Sequence, residues 1–494
     1  MPAAKKWAPL HENPIRFPAA YPRPPVPRVI LRLMPRFTWR KMRSKAGGPL
    51  QNLLQIRVGA HARQALPLWI ASLLTGLVAV AYTRLFGLCE SVLHYELRQQ
   101  PWMIFILAPS FFLLAWGAVR LFAPGARGSG IPQVMAAIEL SQPGHEEKIS
   151  RLLSIRILLT KVLSSLLMVV GGGAIGREGP TIQIVGSIFN TISNWVPRAW
   201  TGLSRQSFLL TGAAAGLAAA FNTPLGGLVF GMEELARIHV RFFRTALFTS
   251  VIIAGLAAQG FLGPYLYLGY PDVSGLGPKI FLGVIFVAVV AGAAGALMCR
   301  AILAVMRWKK RLNPVQTVAF VVLAGLLFAG IAYFVDEQVL GSGKDLLNRT
   351  LFTADKHCGI STVLARMLGP VLCFNTRAAG GVFAPSLSGG AAVGSLCAGL
   401  LHLVGSNANI LILCGMVAFL TGVTQTPFTS AILVLEMTDR HSVIFHLLLA
   451  ALFAGLAARV ISRRSFYEVL KHDYLEEANA QPEGKTLPGT TAGN

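Results

Sequence analysis

Gly176-Arg177-Glu178-Gly179-Pro180 places a guanidinium and a carboxylate between two glycines in an apolar, glycine-rich stretch. Ionisable side chains at membrane depth mark functional sites by default, and glycine lets backbone amides approach an anion closely. The combination points to an anion path with a titratable gate. Two further breaks share this make-up, Gly128-Ser129-Gly130-Ile131-Pro132 and Gly380-Gly381-Val382-Phe383-Ala384-Pro385. A helix that begins inside a membrane offers unpaired N–H groups and the positive end of its dipole, and proline suits its first turn. Ser129 adds a hydroxyl donor that can face a small anion. A site made of dipoles binds an ion weakly enough to release it, which suits transport.

The elements that must hold these breaks are membrane helices. Of 494 residues, 54% are hydrophobic and 13% charged, and the mean hydropathy is +0.58. Apolar stretches able to cross or nearly cross a bilayer recur at 66–88, 102–123, 155–175, 207–232, 244–264, 279–306, 315–335, 361–374, 387–404, 408–436 and 442–462. An all-α polytopic membrane protein follows. Soluble multi-domain enzymes lack such runs, and an outer-membrane barrel would show alternating segments of about ten residues instead.

The chain also repeats itself. At an offset of 203 residues, Gly212 falls on Gly415, Thr223-Pro224 on Thr426-Pro427, and Glu233 on Glu436. Each segment is a glycine/alanine-rich helix, broken at Thr-Pro, that resumes and ends in glutamate. With two more residues of shift, Gly176–Pro180 falls on Gly381–Pro385. Repeated membrane folds form ligand sites where such breaks meet near the midplane, with the repeats either parallel or inverted. The expected organisation is a basic, proline-rich tail at 1–65, membrane repeats at 66–265 and 275–472, and a short tail at 473–494.

The formal net charge is +23, much of it in the first tail, which the positive-inside rule keeps on the cytoplasmic side and which can rest on anionic lipid. No nucleic-acid recognition fold follows it, so nucleic acid is not an expected partner. The opening residues have no apolar core of a cleavable signal. Six scattered cysteines read as buried small hydrophobes, and the ten histidines form no ligand pair, so neither a metal nor a cofactor is expected. Gly341-Ser342-Gly343-Lys344-Asp345 reads as a loop, since Asp345 stands where a phosphate loop needs Ser or Thr.

Together these segments resemble the chloride channel and transporter family, CLC. Gly128–Pro132, Gly176–Pro180 and Gly381–Pro385 are similar to its three signature segments, in order, and Gly212–Leu225 and Leu433–Asp439 are also family-like. The resemblance spans residues 65–472. It implies two inverted repeats of tilted and broken helices, and a homodimer with one ion pathway per subunit in an inner membrane, both termini cytoplasmic. It further implies chloride and protons as substrates. Ser129 and the Tyr467 hydroxyl would hold a central anion with the N–H groups of Val382 and Phe383, and Gly130 and Ile131 would belong to the anion-binding set. Amides around Arg177, Glu178 and Gly179 would hold an outer one, whose place the Glu178 carboxylate takes as gate. Glu234 matches the inner proton-transfer glutamate. From the residues alone, Glu233 and Glu234 are helix-end charges facing water beside Arg237, Arg241 and Arg244, while Lys161 and Arg177 either raise the local potential, snorkel, or pair with glutamates. Glu436 reads as a structural helix-end charge.

Gln133 and Met135 follow Pro132 where some bacterial exchangers carry acids, which makes the inner proton route less acidic. Tyr467 argues against the fluoride-selective branch. The leading reading is a chloride/proton antiporter. Its rivals are a passive chloride channel on the same fold, an organic-anion transporter, and a membrane enzyme, for which no compact catalytic set is present.

Overall fold

The computed structural model describes residues 49–141, 145–196, 203–235, 244–263 and 266–480. Two units divide the chain. Of Met1–Gly59, the described part is the helical run from Pro49. The second unit, Ala60–Asn494, carries the rest.

The described residues are helical, joined by short turns. Their α-helices in order are α1 (Pro49–Gln99), α2 (Ile104–Phe122), α3 (Ile131–Glu139), α4 (Glu146–Ser150), α5 (Ile155–Val170), α6 (Glu178–Trp195), α7 (Arg205–Phe221), α8 (Pro224–Phe230) and α9 (Arg244–Leu262). There follow α10 (Ile280–Lys309), α11 (Pro314–Gly330), α12 (Lys344–Phe352), α13 (Ile360–Asn375), α14 (Phe383–Leu400), α15 (Gly405–Thr424), α16 (Pro427–Thr438), α17 (Ile444–Ile461) and α18 (Phe466–Ala480). Nine helical spans among the described residues are long and apolar enough to cross a membrane. Many of these expose large apolar side chains, such as Leu159 on α5 and Leu282 on α10, as lipid contact requires.

Polar side chains fix several helix starts. Ser154 caps α5 and Ser204 caps α7 by accepting from the third backbone N–H onward. Asn313 and Gln316 close a reciprocal capping box on α11.

Two helices form the buried centre. Every residue from Phe208 to Phe221 in α7 and from Ala408 to Thr424 in α15 is buried. Their glycines and alanines allow close approach: a side-chain carbon added at Gly415 would strike the Gly390 carbonyl of α14. Both helices end the same way. Asn222 and Gln425 each adopt φ 56°, a left-handed conformation that stops a helix, and Thr-Pro then opens the next one, α8 or α16. The stretches 207–232 and 408–436 therefore each fold as two helices, broken at the Thr-Pro steps that the sequence marks.

The glycine-rich breaks meet. The Gly128 N–H donates to the Ala378 carbonyl at 2.9 Å and the Gly380 N–H to the Gly128 carbonyl at 3.0 Å. Gly176 and Gly381 exchange two N–H···O bonds of 2.8 and 2.9 Å. These short extended pairings satisfy backbone groups that lipid would leave orphaned, and they bring the starts of α3, α6 and α14 together.

Candidate functional site

Five helices begin at buried breaks with a proline in the first turn: α3, α6, α8, α14 and α16. Two of them have carboxylate caps. Glu436 accepts from the N–H groups of Leu225 (3.1 Å) and Gly226 (2.7 Å) at the start of α8. Glu233 accepts from Phe428 (3.2 Å) and Thr429 (2.6 Å) at the start of α16. By contrast, no side chain from Arg177 caps α6 and none from Val382 caps α14. Helix dipoles and first-turn N–H groups there face the Glu178 carboxyl and suit an anion in its place.

The Glu178 carboxyl sits between those two starts. It is 1% exposed, and it lies against Gly176 and the Ala384 N–H of α14. Its Oε2 has no hydrogen-bond partner of good geometry, and its Oε1 is 4.0 Å from the Arg177 Nε. The Arg177 guanidinium lies 6.0 Å over the Tyr267 ring. Adjacent to this, Gly179 packs directly on the Ser129 hydroxyl.

Ser129 and Tyr467 form the second focus. Both are buried, at 1% and 0% exposure, and the two side chains are neighbours, with the carboxyls of Glu234 and Glu178 within electrostatic reach of the Tyr467 hydroxyl. Neither hydroxyl oxygen makes a hydrogen bond of good geometry. Buried hydroxyls without partners are costly, so two neighbours in that state indicate a site for a group that accepts from both. A cavity lined by Arg127, Lys310, Arg377, Asp473 and Glu477 opens onto Ser129, and its cations are partly offset by ion pairs of Arg127 with Glu477 (2.5 Å) and Lys310 with Asp473 (3.4 Å).

The structure corrects several readings of single residues. Gly130 does not offer its N–H to an anion, because the Gln133 Oε1 accepts it at 3.1 Å. Lys161 neither snorkels nor pairs with a glutamate: fully buried, it donates to the carbonyls of Ala126 (2.9 Å) and Gly128 (2.7 Å). Glu233 and Glu234 are not a matched pair facing water. Glu233 is the α16 cap, while Glu234 is 8% exposed in a π-helical turn, Gly231–Leu235. Arg237 and Arg241 lie outside the described residues. Ser129, Ile131, Arg177, Glu178, Gly179, Val382, Phe383 and Tyr467 do converge around the three breaks, and the breaks themselves were readable from glycine and proline spacing. Glu436 is the structural helix-end charge expected, although its partner helix is α8.

A family model described as voltage gated chloride channel matches residues 111–459. The H(+)/Cl(-) exchange transporter ClcA of Citrobacter koseri is 29% identical over 446 residues, covering 84% of this chain and 90% of that protein. The ClcA of Salmonella gallinarum is 30% identical over 445 residues, with the same coverage. The crystal structure of a slow cyanobacterial Cl-/H+ antiporter matches with a TM-score of 0.74 at 26% identity, covering 85% of this chain and 99% of that one. A CLC-type fluoride/proton antiporter shares the fold, with a TM-score of 0.68 at 18% identity over 82% of this chain and 96% of that one.

Proposed function

Since this multi-pass membrane protein belongs to the voltage gated chloride channel (CLC) family, a family of transport proteins and not of enzymes, we propose that it exchanges chloride for protons. The observation that carries the reading is the Glu178 carboxyl lying between two helix starts whose own N-cap residues supply no side-chain cap, close to the neighbouring hydroxyls of Ser129 and Tyr467. A carboxylate and a chloride ion carry the same charge and seek the same donors. When Glu178 is ionised it competes with the outer anion, and when it is protonated the competition ends. Chloride then moves between the outer amides of α6 and α14 and the central hydroxyls, with the Ile131, Val382 and Phe383 backbone completing the inner position.

Proton movement needs a second carboxyl on the other side. Glu234 fills that role: it is buried, and it lies within electrostatic reach of Tyr467. Chloride over fluoride is supported by the Tyr467 hydroxyl in the central position and by the names of the two ClcA relatives. In this reading α8 and α16, with their exchanged glutamate caps, belong to two inverted repeats. The protein is a homodimer with a pathway in each subunit, and it sits in an inner membrane with both termini on the cytoplasmic side.

Reconstituted vesicles test the proposal. With an imposed chloride gradient, protons should move uphill against their own gradient; chloride flux with no uphill proton movement would establish a passive channel instead.

A further inference from the structure

Carbonyl oxygens are the wrong pole for an anion, yet those of Gly125, Ala126, Arg127 and Gly128 directly precede Ser129. Each is held by a donor from elsewhere. Lys161 takes Ala126 and Gly128. The Gln133 Nε2 donates to Arg127 at 2.6 Å and to Gly125 at 3.3 Å, and the Gln183 Nε2 also donates to Gly125, at 2.9 Å. Past Ser129, the Gln133 Oε1 accepts the Gly130 N–H.

We infer that Gln133 is the positioning residue of the central anion site: its amide grips carbonyls before Ser129 and the N–H after it, and so sets the rotation of the peptides that carry the hydroxyl. The amide does both at once: its NH2 donates to the carbonyls and its oxygen accepts from the N–H. With those groups engaged, the carbonyl dipoles are held away from the site and the Ser129 Oγ is left to face the anion. Gln133 is wholly buried on the first turn of α3, so the grip is shielded from water and strong for its size. Tyr474, whose hydroxyl donates to the Arg127 carbonyl at 3.4 Å, adds a weaker hold on the same peptide.

The inference rests on the chloride/proton reading, and full-length protein tests both separately. Chloride binding is measured by calorimetry in detergent, and half-saturating chloride and maximal rate in vesicles. Gln133→Met keeps the volume and loses all three hydrogen bonds. Gln133→Glu in its ionised form keeps the acceptor, loses both donors and presses a charge on the Arg127 carbonyl. Each should raise half-saturating chloride by about tenfold, the effect of about one lost polar contact at the site, while maximal rate at saturating chloride stays within about twofold. If one variant fails to elute as a folded protein, the other decides. Unchanged chloride affinity in a folded variant, or a loss of rate without a loss of affinity, overturns the role of Gln133. Absence of chloride binding in the wild type overturns the transport reading itself.

Discussion

Glu233 and Glu436 are exchanged caps: the first, at the end of the α8 segment, caps α16, and the second, within α16, caps α8. Each broken helix thus holds the start of the other, and the two are fixed as a unit near the buried centre. The arrangement also explains why two adjacent glutamates, Glu233 and Glu234, serve different ends. Successive helical residues point in different directions, so the neighbour that caps α16 cannot also turn into the buried space that Glu234 occupies.

Separate substitutions should separate those roles. Glu233→Gln weakens a charged cap and should cost about 1 kcal/mol of stability, read as a lower thermal-unfolding midpoint, with proton coupling retained. Glu234→Gln should abolish uphill proton movement in vesicles. A Glu233 variant that uncouples as fully as the Glu234 variant would contradict the division.

Glu178→Gln removes the charge that competes for the outer anion place and also the carrier of the proton. Chloride flux should persist in vesicles, losing its dependence on pH, while proton movement stops. Continued proton pumping by this variant would show that the gate lies elsewhere.

Lys161 is predicted to be a structural cation. Replacing it with Met strands the buried Ala126 carbonyl and leaves the Gly128 carbonyl with the Gly380 N–H alone, at a cost of about 1–3 kcal/mol. Denaturation in detergent should show this loss, and chloride affinity should fall with it because Ser129 follows those carbonyls directly. A cation acting only through its long-range potential would change affinity and leave stability intact.

Much of this frame was legible in the chain. Glycine and proline announce the breaks, since few other residues permit close backbone approach or suit a first helical turn, and hydropathy announces the spans. The partners of Lys161 and Gln133 were not legible. A backbone carbonyl has no sequence signature, and Lys161 reaches Gly128 from a different helix. A lone lysine in an apolar run therefore reads equally as a snorkelling or paired charge. The same limit applies to Gly130, an expected anion-binding residue whose N–H is taken by a Gln133 side chain that folds back within one turn of helix.

The closest contact in the site gives the sharpest steric prediction. A side-chain carbon added at Gly179 would strike the Ser129 Oγ and lie 2.9 Å from the Ser129 backbone oxygen. Rotating the hydroxyl relieves the first clash; only a shift of the peptide relieves the second. That peptide, Ser129–Gly130, is held by the Gln133 Oε1 through the Gly130 N–H, and the peptide before it by Lys161 and the Gly380 N–H on the Gly128 carbonyl, so it has little room to move. Gly179→Ala should therefore weaken chloride binding by about tenfold or more and slow transport. Gly117 in α2, where an added carbon meets nothing within 4 Å, supplies the control: Gly117→Ala should transport as the wild type does and unfold slightly later, since alanine is the better helix former by up to about 1 kcal/mol. Equal transport by the two variants would mean that the Ser129 peptide is free to yield, and that its clamp does not define the site.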